Sequence, residues 1–88
     1  MEETAVDPLQ ARISELIAQV KGDETLSKRL DSRSNLVEDI GLDSLQMINL
    51  LLLVESDVGV EVEFESFSID HLRSLSAFTR YIKGLKLA

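Results

Sequence analysis

A chain of 88 residues is long enough for one domain, but folding at that length buries only about 60–65% of the surface the unfolded chain exposes, so its stability is modest. With 44% hydrophobic residues, three Phe, one Tyr and no Trp, the core has to be mainly aliphatic. The lack of Cys excludes disulfides, thiolate catalysis and cysteine-bound zinc and fits a reducing compartment, while the net charge of −7 speaks against nucleic acid as a partner.

The first residues, MEETAVDP, are acidic and polar, unlike a signal peptide. In DPLQARISELIAQVKG, Asp7 is placed to cap a helix, and Pro8 suits a first helical position because its missing N–H would be unpaired there anyway. Leu9, Ile13, Leu16, Ile17 and Val20 recur at helical spacing and form one apolar stripe. Lys21 complements the dipole at the C-terminal end, and Gly22 closes the helix.

Residues 23–42 read as a long connection, polar but punctuated by Leu26, Leu30, Leu36, Val37 and Ile40. A loop of that length in a small domain must pack its own hydrophobes or serve function. Its end, SNLVEDIG, predicts a single helical turn capped by Ser34 or Asn35 and closed by Gly41.

A second strong helix starts at Asp43, which with Gln46 three positions on has the spacing of a capping box. It runs through SLQMINLLLLVESDVG to Gly59, apolar on nearly every side, and is expected to be the central helix of a bundle. Ile48 and Leu52 follow Ser44 by four and eight residues and share its face. Residues 34–72 hold nine carboxylates (Glu38, Asp39, Asp43, Glu55, Asp57, Glu61, Glu63, Glu65 and Asp70) and no Lys or Arg, against seven acids and nine bases elsewhere. Such a block favours partners with basic surfaces, steered over distances that salt shortens. Solubility alone is the competing explanation.

VEVEFE alternates like a strand, but a lone strand without a partner is unstable, so a loop leading into a short helix over residues 66–71 is expected instead. Ser74 then caps a last helix, LSAFTRYIKGL, with Leu75, Phe78, Tyr81 and Ile82 as its stripe. The sum is an all-α chain, a small antiparallel bundle of three main helices plus one short helix. The longest apolar run, residues 50–54, is too short to span a bilayer, so a soluble cytoplasmic protein is expected.

Catalytic patterns are missing. The single histidine, His71, cannot build a multi-histidine metal site and reads as a surface or helix-end residue. Ser44 is not in a nucleophile elbow, since Gly41 lies three residues back and Gln46 two residues on. A calcium loop counted from Asp39 fails, with Ser44 where glycine is required and Leu50 where glutamate is.

The segment EDIGLDSLQMINLLLLVE resembles the modification motif of acyl carrier proteins, in which a D-S-L tripeptide follows an "IG-x" or "LG-x" turn and opens the second helix. Here the tripeptide is Asp43-Ser44-Leu45 and the turn is Ile40-Gly41-Leu42, and the order of elements is similar over roughly residues 9–82 of a single domain, 1–88. The resemblance implies that Ser44 is the attachment point of 4′-phosphopantetheine, transferred from coenzyme A by a phosphopantetheinyl transferase using Mg²⁺. The thiol of that arm would carry acyl groups as thioesters between loading and condensing enzymes with basic docking surfaces. The chain would then be a carrier and not an enzyme, a monomer without membrane or nucleic-acid partner. The residues agree with this. A serine in the first helical turn presents its hydroxyl near unpaired N–H groups and the positive end of the dipole, which favour a phosphodiester.

The family's docking face falls on Gln46, Ile48, Asn49, Leu52 and Glu55, with Ile48 and Leu52 as its apolar centre. Fatty-acid carriers commonly have acids where this chain has Gln46 and Asn49, which turns the expectation towards polyketide or related specialised biosynthesis. An aminoacyl or peptidyl carrier is the alternative, although Asp39-Ile40-Gly41 lacks the double glycine usual in that branch. An unmodified acidic helical adaptor is the other, and a hydrolase using Ser44 has no base placed for it. Starting at Met and ending soon after the last helix, the chain reads as a discrete protein.

Overall fold

Asp7 is extended (φ −61°, ψ 119°) and its carboxylate accepts the Leu9 N–H, so α1 begins at Pro8 and runs Pro8–Lys21 to a left-handed Gly22. The computed structural model describes residues 7–87; the acidic residues 1–6, which carry the reading of no signal peptide, and residue 88 lie outside the described residues. Three further helices follow, α2 (Leu26–Arg29), α3 (Ser44–Val58) and α4 (Leu75–Lys83), with a 3₁₀ turn at Ile69–Leu72 before α4. The expected all-α architecture is therefore present, with three long helices. Among the described residues no helix is long and apolar enough to cross a membrane.

The long connection differs from its reading. It carries the one-turn helix α2, which starts from Thr25 with no side-chain cap and buries Leu26. The helical turn expected at its end is a tight hydrogen-bonded turn: Asp39 and Ile40 N–H both donate to the Asn35 carbonyl and Gly41 N–H to that of Val37. Asn35 caps it, its side-chain oxygen accepting from Val37 and Glu38 N–H at 2.9 and 2.8 Å, while the Ser34 hydroxyl accepts from Asp31 N–H instead. The loop hydrophobes do pack: Leu36 and Leu42 are buried, and Leu36 N–H donates to the Leu72 carbonyl at 3.0 Å.

The bundle's hub is α1, not α3. α1 packs against α2, α3 and α4. The reason is the shape of the apolar surface. α1 buries Ile13, Leu16, Ile17 and Ala18, whereas α3 buries Leu50, Leu51 and Val54 and leaves Leu45, Ile48 and Leu52 in solvent. α4 completes the core with Leu75, Phe78 and Ile82.

VEVEFE forms no strand among the described residues, as expected, but its first residues do find a partner. Val60 pairs with Leu87 in one antiparallel bridge, and Glu61 N–H donates to the Lys86 carbonyl at 2.8 Å. The partner that was expected to be missing is the tail beyond α4, brought alongside because the chain turns back at Gly59 (φ +82°). Alternation reports burial only in part: Val60 and Val62 are buried but Phe64 is half exposed. The short helix expected over residues 66–71 is the 3₁₀ turn Ile69–Leu72.

Among the described residues, two of the nine carboxylates of the acidic block are paired with a cation: Asp70 with Arg73 at 3.2 Å on the exposed surface, and Asp57 with α1. Arg12 of α1 donates to both Asp57 oxygens, at 2.7 and 2.6 Å, and to Glu15. The Arg12 hydrogen bond holds the Asp57 carboxyl below its usual range, as Lys83 does for Asp7 and the Thr25 hydroxyl for Asp23. A carboxyl whose folded value is depressed contributes stability above its unfolded value, about pH 4, and loses it as pH falls through the lower folded value. Thermal melts of wild type and Asp57→Asn between pH 7 and pH 3 should therefore differ at neutral pH and converge in acid. A constant difference across that range would remove Asp57 from the acid limb.

Candidate functional site

The head of α3 is built by Asp43 and Gln46. Asp43 is extended (φ −90°, ψ 177°), its carboxylate accepts Gln46 N–H at 2.8 Å, and the Gln46 side-chain oxygen accepts Asp43 N–H at 3.2 Å. Met47 N–H goes to the Asp43 carbonyl at 2.9 Å. The capping box is thus closed, and the amides of Ser44 and Leu45 are the two left without an acceptor among the described residues. The turn before it is anchored by buried Leu42 and made possible by Gly41, whose φ of +78° a side chain would strain.

Ser44 is the first residue of α3, and it is exposed. Its hydroxyl has no partner among the described residues, because Asp43 does the capping. A phosphodiester formed there would meet two free N–H donors and the positive end of a 15-residue helix. The residues present therefore fit the phosphopantetheine arm. Two surface clefts, of about 530 and 520 Å³, are lined by residues such as Arg12, Asp23 and Ser27 and by Glu63, Phe64, Glu65 and Ser66. Ser44 lines neither; exposed at the first position of α3, it is open to approach by other proteins.

From that position an apolar stripe runs down α3: Leu45 is 67% exposed, Ile48 47% and Leu52 50%. Asn49 is exposed beside it. The other two residues of the expected docking face have duties inside the fold. Gln46 closes the capping box, and one Glu55 oxygen accepts Val62 N–H at 2.9 Å. His71 is half-buried at the end of the 3₁₀ turn, stacked on Tyr81 (centroids 4.2 Å apart, 23°), with its Nδ1 accepting Ser68 N–H.

Three features of the structure were not legible. Phe64 and Ile69 are exposed apolar residues outside α3, which the alternating pattern and the short helix had hidden. Lys21 does not simply face the end of its own helix: its ammonium donates to the Gly41 carbonyl and to the Gln46 side-chain oxygen, both at 3.3 Å. A lysine in a last helical turn carries no sequence signal for such a contact.

Comparison with known proteins agrees with this geometry. The family model described as "Phosphopantetheine attachment site" matches residues 11–82. Among curated proteins the chain is similar to the acyl carrier protein of Rickettsia bellii, 28% identical over 81 residues that cover 92% of this chain and 90% of the relative. It is also similar to the acyl carrier protein homolog of Ureaplasma parvum, 27% identical over 77 residues, 85% of this chain and all of the relative. Acyl carrier protein 2 of Pseudomonas aeruginosa is 33% identical over 57 residues, 65% of this chain and 70% of the relative.

Proposed function

The chain belongs to the phosphopantetheine attachment-site family, as an acyl carrier protein and not an enzyme, and on that premise we propose that Ser44 carries the 4′-phosphopantetheine arm in a specialised biosynthetic pathway of polyketide type. The observation that carries the assignment to Ser44 is its free, exposed hydroxyl at the first position of α3, beside an Asp43 that already satisfies the helix cap. When bound, the arm supplies a thiol on which an acyl group travels as a thioester. The protein's own part is to hold the esterified oxygen outward, offer the Ser44 and Leu45 amides to the phosphodiester, and present a face that partner enzymes recognise.

That face is the Leu45–Ile48–Leu52 stripe, with Asn49 at its side, the acid Asp43 capping its head and Glu38 and Asp39 in the turn that precedes it in the chain. Neutral Gln46 and Asn49 give it less charge along the helix than fatty-acid carriers commonly have, so docking leans on apolar contact and supports the specialised assignment. The assignment is tested by incubating the chain with coenzyme A, Mg²⁺ and a phosphopantetheinyl transferase, then locating the added mass by fragmentation. The arm is expected on the peptide containing Ser44; an added mass on any other serine, or none, overturns it.

The docking face makes its own prediction. Ile48→Asp should leave the melting temperature nearly unchanged, because Ile48 is half exposed, but slow transfer by roughly tenfold or more, the usual effect of losing a central apolar anchor. Equal rates for the two chains would move docking off α3.

A further inference from the structure

Residues 34–72 contain no Lys or Arg, so any cation at the head of α3 has to come from another element. Lys21 at the end of α1 brings one. Its ammonium is 3.3 Å from the Gly41 carbonyl and 3.3 Å from the Gln46 side-chain oxygen. These two acceptors bracket the tripeptide Asp43-Ser44-Leu45, one in the turn before it and one in the helix after it.

The contact does two things. An ammonium only donates, so it requires the oxygen end of the Gln46 carboxamide, and that oxygen is the atom that accepts Asp43 N–H at 3.2 Å. With the amide reversed, its NH₂ group would face both Lys21 and Asp43 N–H, two donors. Lys21 thereby sets the orientation that keeps the capping box closed and ties the Gly41 turn to α1. It also places a positive charge on the turn and the cap residue that flank Ser44, in a stretch of sequence whose charged residues are all acidic.

We propose that Lys21 is a positioning residue for modification at Ser44: it staples both flanks of the tripeptide to α1 and offsets the negative charge of the transferred group. This rests on Ser44 being the attachment residue. A partly exposed contact of this type corresponds to a change of about two- to fivefold in rate.

The test compares transfer from coenzyme A into wild type, Lys21→Met, Lys21→Arg and, as a charge control, Lys28→Met, an exposed lysine on α2. Wild type must first be modified at Ser44; if it is not, the attachment reading fails and the role of Lys21 falls with it, whatever the variants do. With wild type modified, Lys21→Met should show a lower kcat at similar KM and an unshifted melting temperature, Lys21→Arg should recover most of the rate, and Lys28→Met should match wild type. Equal rates in wild type and Lys21→Met overturn the proposal. So does a rate loss that follows a lowered melting temperature and is not restored by arginine, since Lys21 would then only support the fold.

Discussion

Ser44→Ala is expected to lose the added mass completely while melting within about 0.5 kcal/mol of wild type. Both halves follow from how the start of α3 divides its work. The chain has ten serines, and Ser74 also stands at a helix start, as the N-cap of α4. The Ser74 hydroxyl, however, accepts Ala77 N–H at 3.0 Å and is held by the helix it caps. The buried Ser14 donates to the Gln10 carbonyl at 3.0 Å. At α3 the capping duty belongs to Asp43, one residue earlier, so Ser44 enters the helix with its oxygen free. Alanine in that exposed helical position removes the reactive atom and nothing the fold uses; alanine is, if anything, the better helix former. Asp43→Ala should behave in the opposite way. It removes the acceptor for Gln46 N–H, which costs about 1 kcal/mol, and it slows modification without abolishing it, because the hydroxyl remains. Intact mass and thermal melts of the two variants separate the roles. Mass gain in Ser44→Ala, or a cooperative transition lost in it, contradicts this division.

What could be read from the residues is what local chemistry decides. Asp7, Asp43 and Ser74 are caps because short polar side chains reach the next amides, and each makes the expected bond. Gly22 and Gly59 end their helices in the left-handed conformation that glycine adopts without strain. That Ser44, Ile48 and Leu52 share one face was legible from period; that Ile48 and Leu52 face outward was what the family resemblance implied, and all three are exposed. What period cannot give is which long helix the others pack on. α3 looked central because it is the more apolar, yet its outward leucines are the site's apolar surface, and α1 takes the hub. Features that depend on distant chain were hidden for the same reason. α2 has no cap of its own and exists because Leu26 is buried, the Val60–Leu87 bridge joins residues from opposite sides of α4, and Lys21 reaches Gln46 across 25 positions.

Phe78→Ala is expected to be the most damaging single change to the scaffold. Phe78 is fully buried, the largest side chain in a core otherwise made of Leu, Ile, Val and Ala, and Phe67 packs edge-on against it (6.4 Å, 85°). Truncation removes the transfer free energy of the ring and leaves a cavity that neighbouring aliphatic chains fill poorly, a cost of about 3–5 kcal/mol. A domain of this length has a total stability on the order of 4–13 kcal/mol, so the loss is a large share of the whole. The melting temperature should fall by roughly 15–30 °C, and at the weak end of the range the variant is unfolded at room temperature. Phe78→Leu keeps most of the volume and should cost only about 1.5 kcal/mol or less. Because Leu50, Leu51 and Val54 of α3 belong to the same core as Phe78, α3 should melt with the rest in one transition. Modification of Phe78→Ala should therefore stop at the temperature where the fold is lost, whereas Ser44→Ala stays folded and is unmodified at every temperature. An unchanged midpoint in Phe78→Ala would mean that α4 does not hold the bundle together and that Ser44 is presented by α1 and α3 alone.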